Sequence, residues 1–284
     1  MIDCYDEEKS TMLRRQFLSA SGAILLLNPV NVFAQDAKKA KPVIKTRHVI
    51  CVLGDWRSLA PVASLVAAFG QGFTFDDEES KTTSDSRMVR AFDVSADRVE
   101  SSMTAADLKA IAGHKAVAYV ISPPVDREKS IIVAQQVLEL IGKLFAAGAT
   151  AIKNESPGLA HGKARWLALI QRAKAGTTDE ATQALIEATV RRPIGSDNLL
   201  YSCGAHLLGV RDVETVGIKN ERDAVKIMDR LIAQQLKAGR SATSPTSIDS
   251  DNGKPLPVAL SDSEHYEDDS FMHNPFGYLR VKAR

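Results

Sequence analysis

Glutamate, serine and histidine stand close together in Asn154-Glu155-Ser156-Pro157-Gly158-Leu159-Ala160-His161-Gly162. A hydroxyl near a carboxylate and an imidazole is the set from which a cofactor-free hydrolase draws its nucleophile and base. The segment also follows a predicted strand and opens a predicted helix near Gly162, where free amides attract an anion. In that reading a small anionic ligand rests on the amides near Gly162, with His161 protonated to assist and Glu155 as acceptor or base. The competing reading is a tight turn in which Pro157 and Gly158 serve geometry and His161 caps the helix. Both stand at this stage.

Other chemistry-bearing residues point to structure. Cys203 and His206 are three apart, which in a strand places them on opposite faces, so a buried thiol and a structural histidine are expected. Asp249-Ser250-Asp251-Asn252-Gly253 is one residue short of a calcium loop and no glutamate follows at the required distance, so a solvated turn is expected. His265 and His273, with Glu264, Glu267, Asp268 and Asp269, lack ligand-spaced pairs on one rigid element and read as a solvated acidic loop. No metal site is expected. Gly70-Gln71-Gly72 follows a helix and lacks a third glycine, and no phosphate loop, His-Glu-x-x-His pair or Gly-x-Ser-x-Gly elbow occurs. No cofactor is expected.

The elements that must position these residues follow from apolar periodicity. His48-Val49-Ile50-Cys51-Val52-Leu53 is a continuous apolar run ended by Gly54, which suits a strand buried on both faces. Helical spacing covers residues 59–69, a short helix capped by Thr104 ends at Gly113, and a strand covers 115–121. Met88-Val89-Arg90-Ala91-Phe92 and Phe73-Thr74-Phe75 read as strands around an acidic hairpin or flap. A long helix over 129–147 carries Ala134, Val137, Leu138, Ile141, Leu144 and Phe145 on one stripe, widened by Ile132, Val133 and Leu140. Strand 150–152 follows, then a helix over 162–175 in which Trp166 shares a core spacing with Leu169 and Ile170. The crossover predicts a parallel strand pair inside a mixed sheet. A capping box at Thr177 and Glu180 opens a further helix, and short strands punctuated by glycine cover 199–218. The last helix carries Ala224, Ile227, Met228, Leu231 and Ile232 on its core stripe. Strands are expected at 257–260 and 278–281. The fold class is α+β, a mixed sheet flanked by helices over 46–284, with a possible subdivision near 123–126.

Residues 1–34 read as a leader. Arg14-Arg15-Gln16-Phe17-Leu18 precedes a mildly apolar run and a small-residue exit at Val32-Phe33-Ala34, the pattern read by the twin-arginine export machinery. Asn28, Pro29 and Asn31 interrupt the run, so no stable membrane span is expected. Asp3, Asp6, Glu7 and Glu8 are unusual at the front of a leader, which leaves Met1 and Met12 both open as the start. Residues 35–45 form a Lys- and Ala-rich linker. With 36 Lys+Arg against 35 Asp+Glu in 284 residues, the chain has no basic field for nucleic acid. Cys4 precedes the cleavage point, and Cys51 and Cys203 either form one disulfide in an oxidising periplasm or stay as buried thiols.

From about residue 116 onward the chain resembles a bacterial family known as domain of unknown function 4261. The resemblance rests on Ala118-Tyr119-Val120-Ile121, Gly148-Ala149-Thr150-Ala151, Cys203-Gly204-Ala205-His206-Leu207-Leu208-Gly209 with Asp212-Val213-Glu214, and Asn274-Pro275-Phe276-Gly277. It implies an α+β domain and carries no reaction or functional residue. The expectation is therefore a periplasmic ligand-binding or protein-interaction module, with the hydrolase of Glu155, Ser156 and His161 as the alternative. Replacing Arg14 and Arg15 together with Lys should trap precursor in the cytoplasm, and N-terminal sequencing of exported protein should begin at Gln35. Unchanged periplasmic yield of the double variant would refute the leader.

Overall fold

The computed structural model describes residues 45–196, 198–239, 245–250 and 253–283. Arg14, Arg15 and Ala34 lie outside the described residues, as do Asp251 and Asn252 of the would-be calcium loop. Two sheets carry the α+β fold. The first has the order β2 (Thr74–Lys81), β3 (Ala116–Ile121), β1 (Val49–Gly54), β4 (Ala149–Asn154) and β5 (Leu159–His161). The second has the order β6 (Arg191–Ser196), β7 (Leu199–Cys203), β8 (Asp212–Val216), β11 (Tyr278–Lys282), β10 (Pro255–Ser261) and β9 (Ser247–Asp249).

The expected parallel pair is corrected by this order. The helix α4 (Ser130–Ala146) does cross between β3 and β4, but β1 lies between them and pairs antiparallel with both. A local pattern reveals the crossover and not the strand inserted into it, because that strand comes from far upstream. The paired strands of parallel sense are β8 and β11 in the second sheet. Since β3 and β4 flank β1, the Pro123-Pro124 turn falls inside one sheet and does not divide the fold.

The face of the first sheet bearing Ile50, Val52, Ala118, Val120 and Ile152 packs on α1 (Ala60–Phe69), α4 and α5 (Lys163–Ala175). Its other face, bearing Cys51, Leu53, Val117 and Ala151, is covered by α2 (Arg87–Asp93) and α3 (Ala105–Ala112). Burial on both faces explains the unbroken apolar run of β1. The strand expected at 88–92 is instead α2. Met88, Ala91 and Phe92 are its buried residues, and their spacing of three and four is helical. In α4, Ile132 is exposed whereas Val133 and Leu140 are buried, so the helix is covered on more than one side and Ile132 lies outside that cover.

The second sheet presents Leu200, Val213, Leu279, Val281 and Val258 to the same core, against α7 (Glu221–Ala238) with Ala224, Ile227, Met228, Leu231 and Ile232 inward. Helix α6 (Thr178–Thr189), opened by the Thr177–Glu180 capping box, contacts both α5 and α7. Cys51 and Cys203 are buried and are not joined in a disulfide. Trp166 is fully buried between α5 and β4, its indole N–H donating to the Ile152 carbonyl at 3.0 Å. Trp166→Ala should therefore cost about 3–5 kcal/mol in a denaturant melt, and a loss under 1 kcal/mol would contradict this packing.

Candidate functional site

The segment 154–162 is a strand turn, with β5 pairing back on β4 so that Ile152 opposes His161. The Ser156 side chain is fully buried. Its Oγ accepts from the Val49 amide at 3.0 Å and donates to the Arg47 carbonyl at 2.6 Å, which fixes the entrance of β1. Glu155 pairs with the fully buried Lys153 ammonium at 2.9 Å. His161 is buried against Trp166, ring centroids 4.9 Å apart, and its Nε2 faces the Glu187 carbonyl at 3.0 Å. Burial pulls its pKa down to about 4, so the imidazole is neutral at pH 7.

These positions correct the expectations placed on the segment. Ser156 hands its proton to a backbone carbonyl and His161 reaches α6, so the Glu155, Ser156 and His161 side chains serve different partners and form no nucleophile-base pair. The helix start is occupied as well. The Gly162 amide donates to Ser102 Oγ at 3.1 Å and the Lys163 amide to Asp107 Oδ1 at 3.0 Å, so the chain's own carboxylate fills the anion position. A Cβ on Gly162 would lie 2.2 Å from the Ser102 carbonyl oxygen, which excludes any other residue there.

The motifs of the second sheet meet at a different place. Asp212 is fully buried at the start of β8; its Oδ1 accepts from Ser202 Oγ at 2.7 Å and the Ala205 amide at 3.1 Å, and its Oδ2 accepts from Asn274 Nδ2 at 2.6 Å. The Cys203-to-Gly209 motif, Asp212 and the Asn274-Pro275-Phe276-Gly277 turn are thus one hydrogen-bonded unit. Gly204 is required within it. With φ of 120° it turns β7 into the short 3-10 helix Ala205–Leu208, and a Cβ would lie 2.3 Å from the Thr189 carbonyl and 2.9 Å from Pro157. The side chains of Cys203 and His206 are buried there, Cys203 Sγ facing the Met272 carbonyl at 3.6 Å and His206 Nε2 the Phe271 carbonyl at 3.1 Å.

Beyond this unit the second sheet turns a polar face toward residues 261–277. Tyr201, Glu214 and Arg280 stand abreast on β7, β8 and β11. The Glu214 side chain is fully buried and bonded to Arg280 Nε, Ser261 Oγ and, at 3.0 Å, His265 Nε2. Burial opposes its charge, but the hydrogen bonds from His265, Ser261 and Arg280 prevail and hold its pKa at about 2. The His265 ring stacks on Tyr201 at 3.9 Å and meets Tyr278 edge-on at 4.8 Å. Next to it is a cavity of about 220 Å³ whose lining includes Asp262, Ser263, Glu264, His265, Tyr266 and Tyr278. The Tyr278 hydroxyl is buried with no hydrogen-bond partner. The acids of the loop, Asp262, Glu264, Glu267 and Asp268, are exposed as expected, while Ser261 and His265 from the same loop reach the buried Glu214. The loop's histidines serve different partners, since His273 Nε2 lies 3.6 Å from Asp268. Among the described residues, no group of three or more His, Cys, Asp or Glu side chains is placed to hold a metal ion.

Comparison with family models, curated proteins and solved structures yields no match to the chain. Sequence reasoning missed Glu214 and His265 as partners, although a signal was present: two acids in Asp212-Val213-Glu214-Thr215-Val216 alternate with valine in a strand pattern, and an acid buried in a strand demands a donor.

His161→Ala should lower stability by about 1–3 kcal/mol, because the Glu187 carbonyl loses its buried donor. The neutral, buried imidazole also sets a pH dependence. The unfolded chain takes up a proton at His161 near pH 6.5 and the folded chain only near 4, so its contribution is full above 6.5 and is lost as pH falls through that window. Melting curves from pH 7 to 4 should show a shallower decline in the alanine variant. An unchanged slope together with unchanged stability would restore an exposed histidine.

Proposed function

We propose that the chain is an exported binding module whose ligand enters the cavity beside His265, where a small amine-bearing, hydroxylated molecule is the best chemical fit. The carrying observation is the Tyr278 hydroxyl, buried beside the cavity without a partner while a carboxylate-rich segment borders it. Asp262 and Glu264 in the lining, with Glu267, Asp268 and Asp269 nearby in sequence, favour a cation over an anion. Arg280 offers little to an anion, being bound to Glu214 and to Ser263 Oγ at 2.7 Å. A cavity of about 220 Å³, below the roughly 300–1,000 Å³ of drug-sized sites, suits a molecule of the size of a single sugar. An anionic ligand at Gly162 is not part of this reading, since Asp107 occupies that position.

Export is supported by the Arg14-Arg15 leader. Among the described residues no helix is long and apolar enough to cross a membrane. The motifs that resemble domain of unknown function 4261 supply Asn274, Pro275 and Gly277 to the cavity wall, which supports a shared site across that family. The Glu214–His265 hydrogen bond favours one second reading, in which the carboxylate orients the imidazole as a general base toward a bound group.

Glucosamine should raise the melting temperature by about 3–6 °C at ten times its Kd, and the shift should vanish in the Asp262→Asn/Glu264→Gln variant. N-acetylglucosamine, which lacks the charge, should shift it less, and inorganic phosphate not at all. Stabilisation by phosphate without stabilisation by glucosamine would overturn the proposal. Hydrolysis of a nitrophenyl ester lost in His265→Ala would favour the catalytic reading.

A further inference from the structure

His48 and His206 are each about 1% exposed, and each keeps one ring nitrogen without a hydrogen-bond partner, Nε2 in His48 and Nδ1 in His206. Their tautomers follow from the nitrogens that are engaged. Asn154 Oδ1 accepts from the Ser156 amide at 3.3 Å, so its Nδ2 is the group that faces His48 Nδ1 at 2.9 Å. That nitrogen must accept, which leaves the proton of a neutral His48 on Nε2. His206 Nε2 faces the Phe271 carbonyl and must carry the proton there, which leaves Nδ1 as a bare acceptor. One unpartnered nitrogen is thus a donor and the other an acceptor.

The two belong to the same seam. Asn154, which holds His48, begins the turn whose Pro157 touches Gly204, and Gly204 opens the 3-10 helix that carries His206. Burial, with the neighbouring His206 as a further cause, pulls the His48 pKa down to about 3, so the His48 ring stays neutral. A third polar atom joins them: Asp212 Oδ2 lies 3.8 Å from His206 Nδ1, beyond hydrogen-bond reach. With one proton, on Nε2, the His206 ring turns a lone pair at Nδ1 toward the lone pairs of the Asp212 carboxylate in a solvent-excluded place.

We propose that one internal water molecule bridges His48 Nε2, His206 Nδ1 and Asp212 Oδ2. It accepts the proton of His48 and donates one hydrogen each to His206 and Asp212, so all three groups are satisfied with no change of charge. Three polar partners are what buried waters typically have. A metal ion would require the His48 Nε2 proton to leave, and these side chains form no metal-holding group among the described residues. The bridge ties the first sheet, through His48 and Asn154, to the second, through His206 and Asp212.

The test is a crystal structure of the chain at about 1.5 Å with anomalous data, joined to nitrogen-15 spectra of its histidines at pH 7. The expected result is one fully occupied water with three contacts of about 2.7–3.2 Å, and both histidines as neutral Nε2–H tautomers. His48→Phe should remove the water and leave the His206 tautomer unchanged. A dry site, a direct His48–His206 hydrogen bond, an anomalous scatterer or a doubly protonated His206 would each overturn the proposal. The wild-type spectra decide it even if the variant does not fold.

Discussion

A carboxylate shut off from bulk solvent sets the terms for the second half of this protein. Asp212 has to be hydrogen-bonded or it costs several kcal/mol, and the chain answers with Ser202, the Ala205 amide and Asn274. These come from β7, from the first residue of the 3-10 helix and from the final turn, some 60 residues downstream in the case of Asn274. Meeting the demand of Asp212 thus brings β7, β8 and the approach to β11 together. It also places Gly204 against Pro157, so the turn of the first sheet and the corner of the second touch at a point where only glycine fits.

Once that corner is fixed, the two faces of the second sheet acquire different tasks. Leu200, Val213, Leu279 and Val281 face α7 and the shared core, where apolar burial contributes most of the stability. Tyr201, Glu214 and Arg280 face the other way and are roofed by residues 261–277. The roof is pinned by side chains rather than by packing alone: Ser261, Ser263 and His265 reach Glu214 or Arg280, and the Phe271 and Met272 carbonyls reach His206 and Cys203. A buried polar network of this kind defines a unique geometry when every member is satisfied. Tyr278, whose hydroxyl is not, is therefore an informative exception at the cavity.

Much of the helical framework was legible in the sequence. Caps at Thr104 and Thr177 and the narrow stripe of α7 are local signals, and local signals survive into the structure. Strand order was not legible, because pairing β1 between β3 and β4 is a long-range choice that no window of residues records. The region 154–162 stayed ambiguous for another reason. Glu, Ser and His have side chains that suit either a solvated loop or a buried network, and β5 is too short, at three residues, to announce itself. The site beside His265 was hidden by the same ambiguity in reverse. Its exposed acids look like a solvated loop, and the contacts that tie the loop to the sheet are long-range: Glu214 is 51 residues from His265 and 66 from Arg280.

The central claim is that binding belongs to the polar face of the second sheet and not to the turn at 154–162. The most direct measurement is a nitrogen-15 and carbon-13 chemical-shift titration of the assigned chain with glucosamine. The account predicts perturbations concentrated at Ser263, His265, Tyr266 and Tyr278, with Glu155, Ser156 and His161 unmoved. Perturbations centred on residues 154–162, with the 261–278 segment silent, would contradict it.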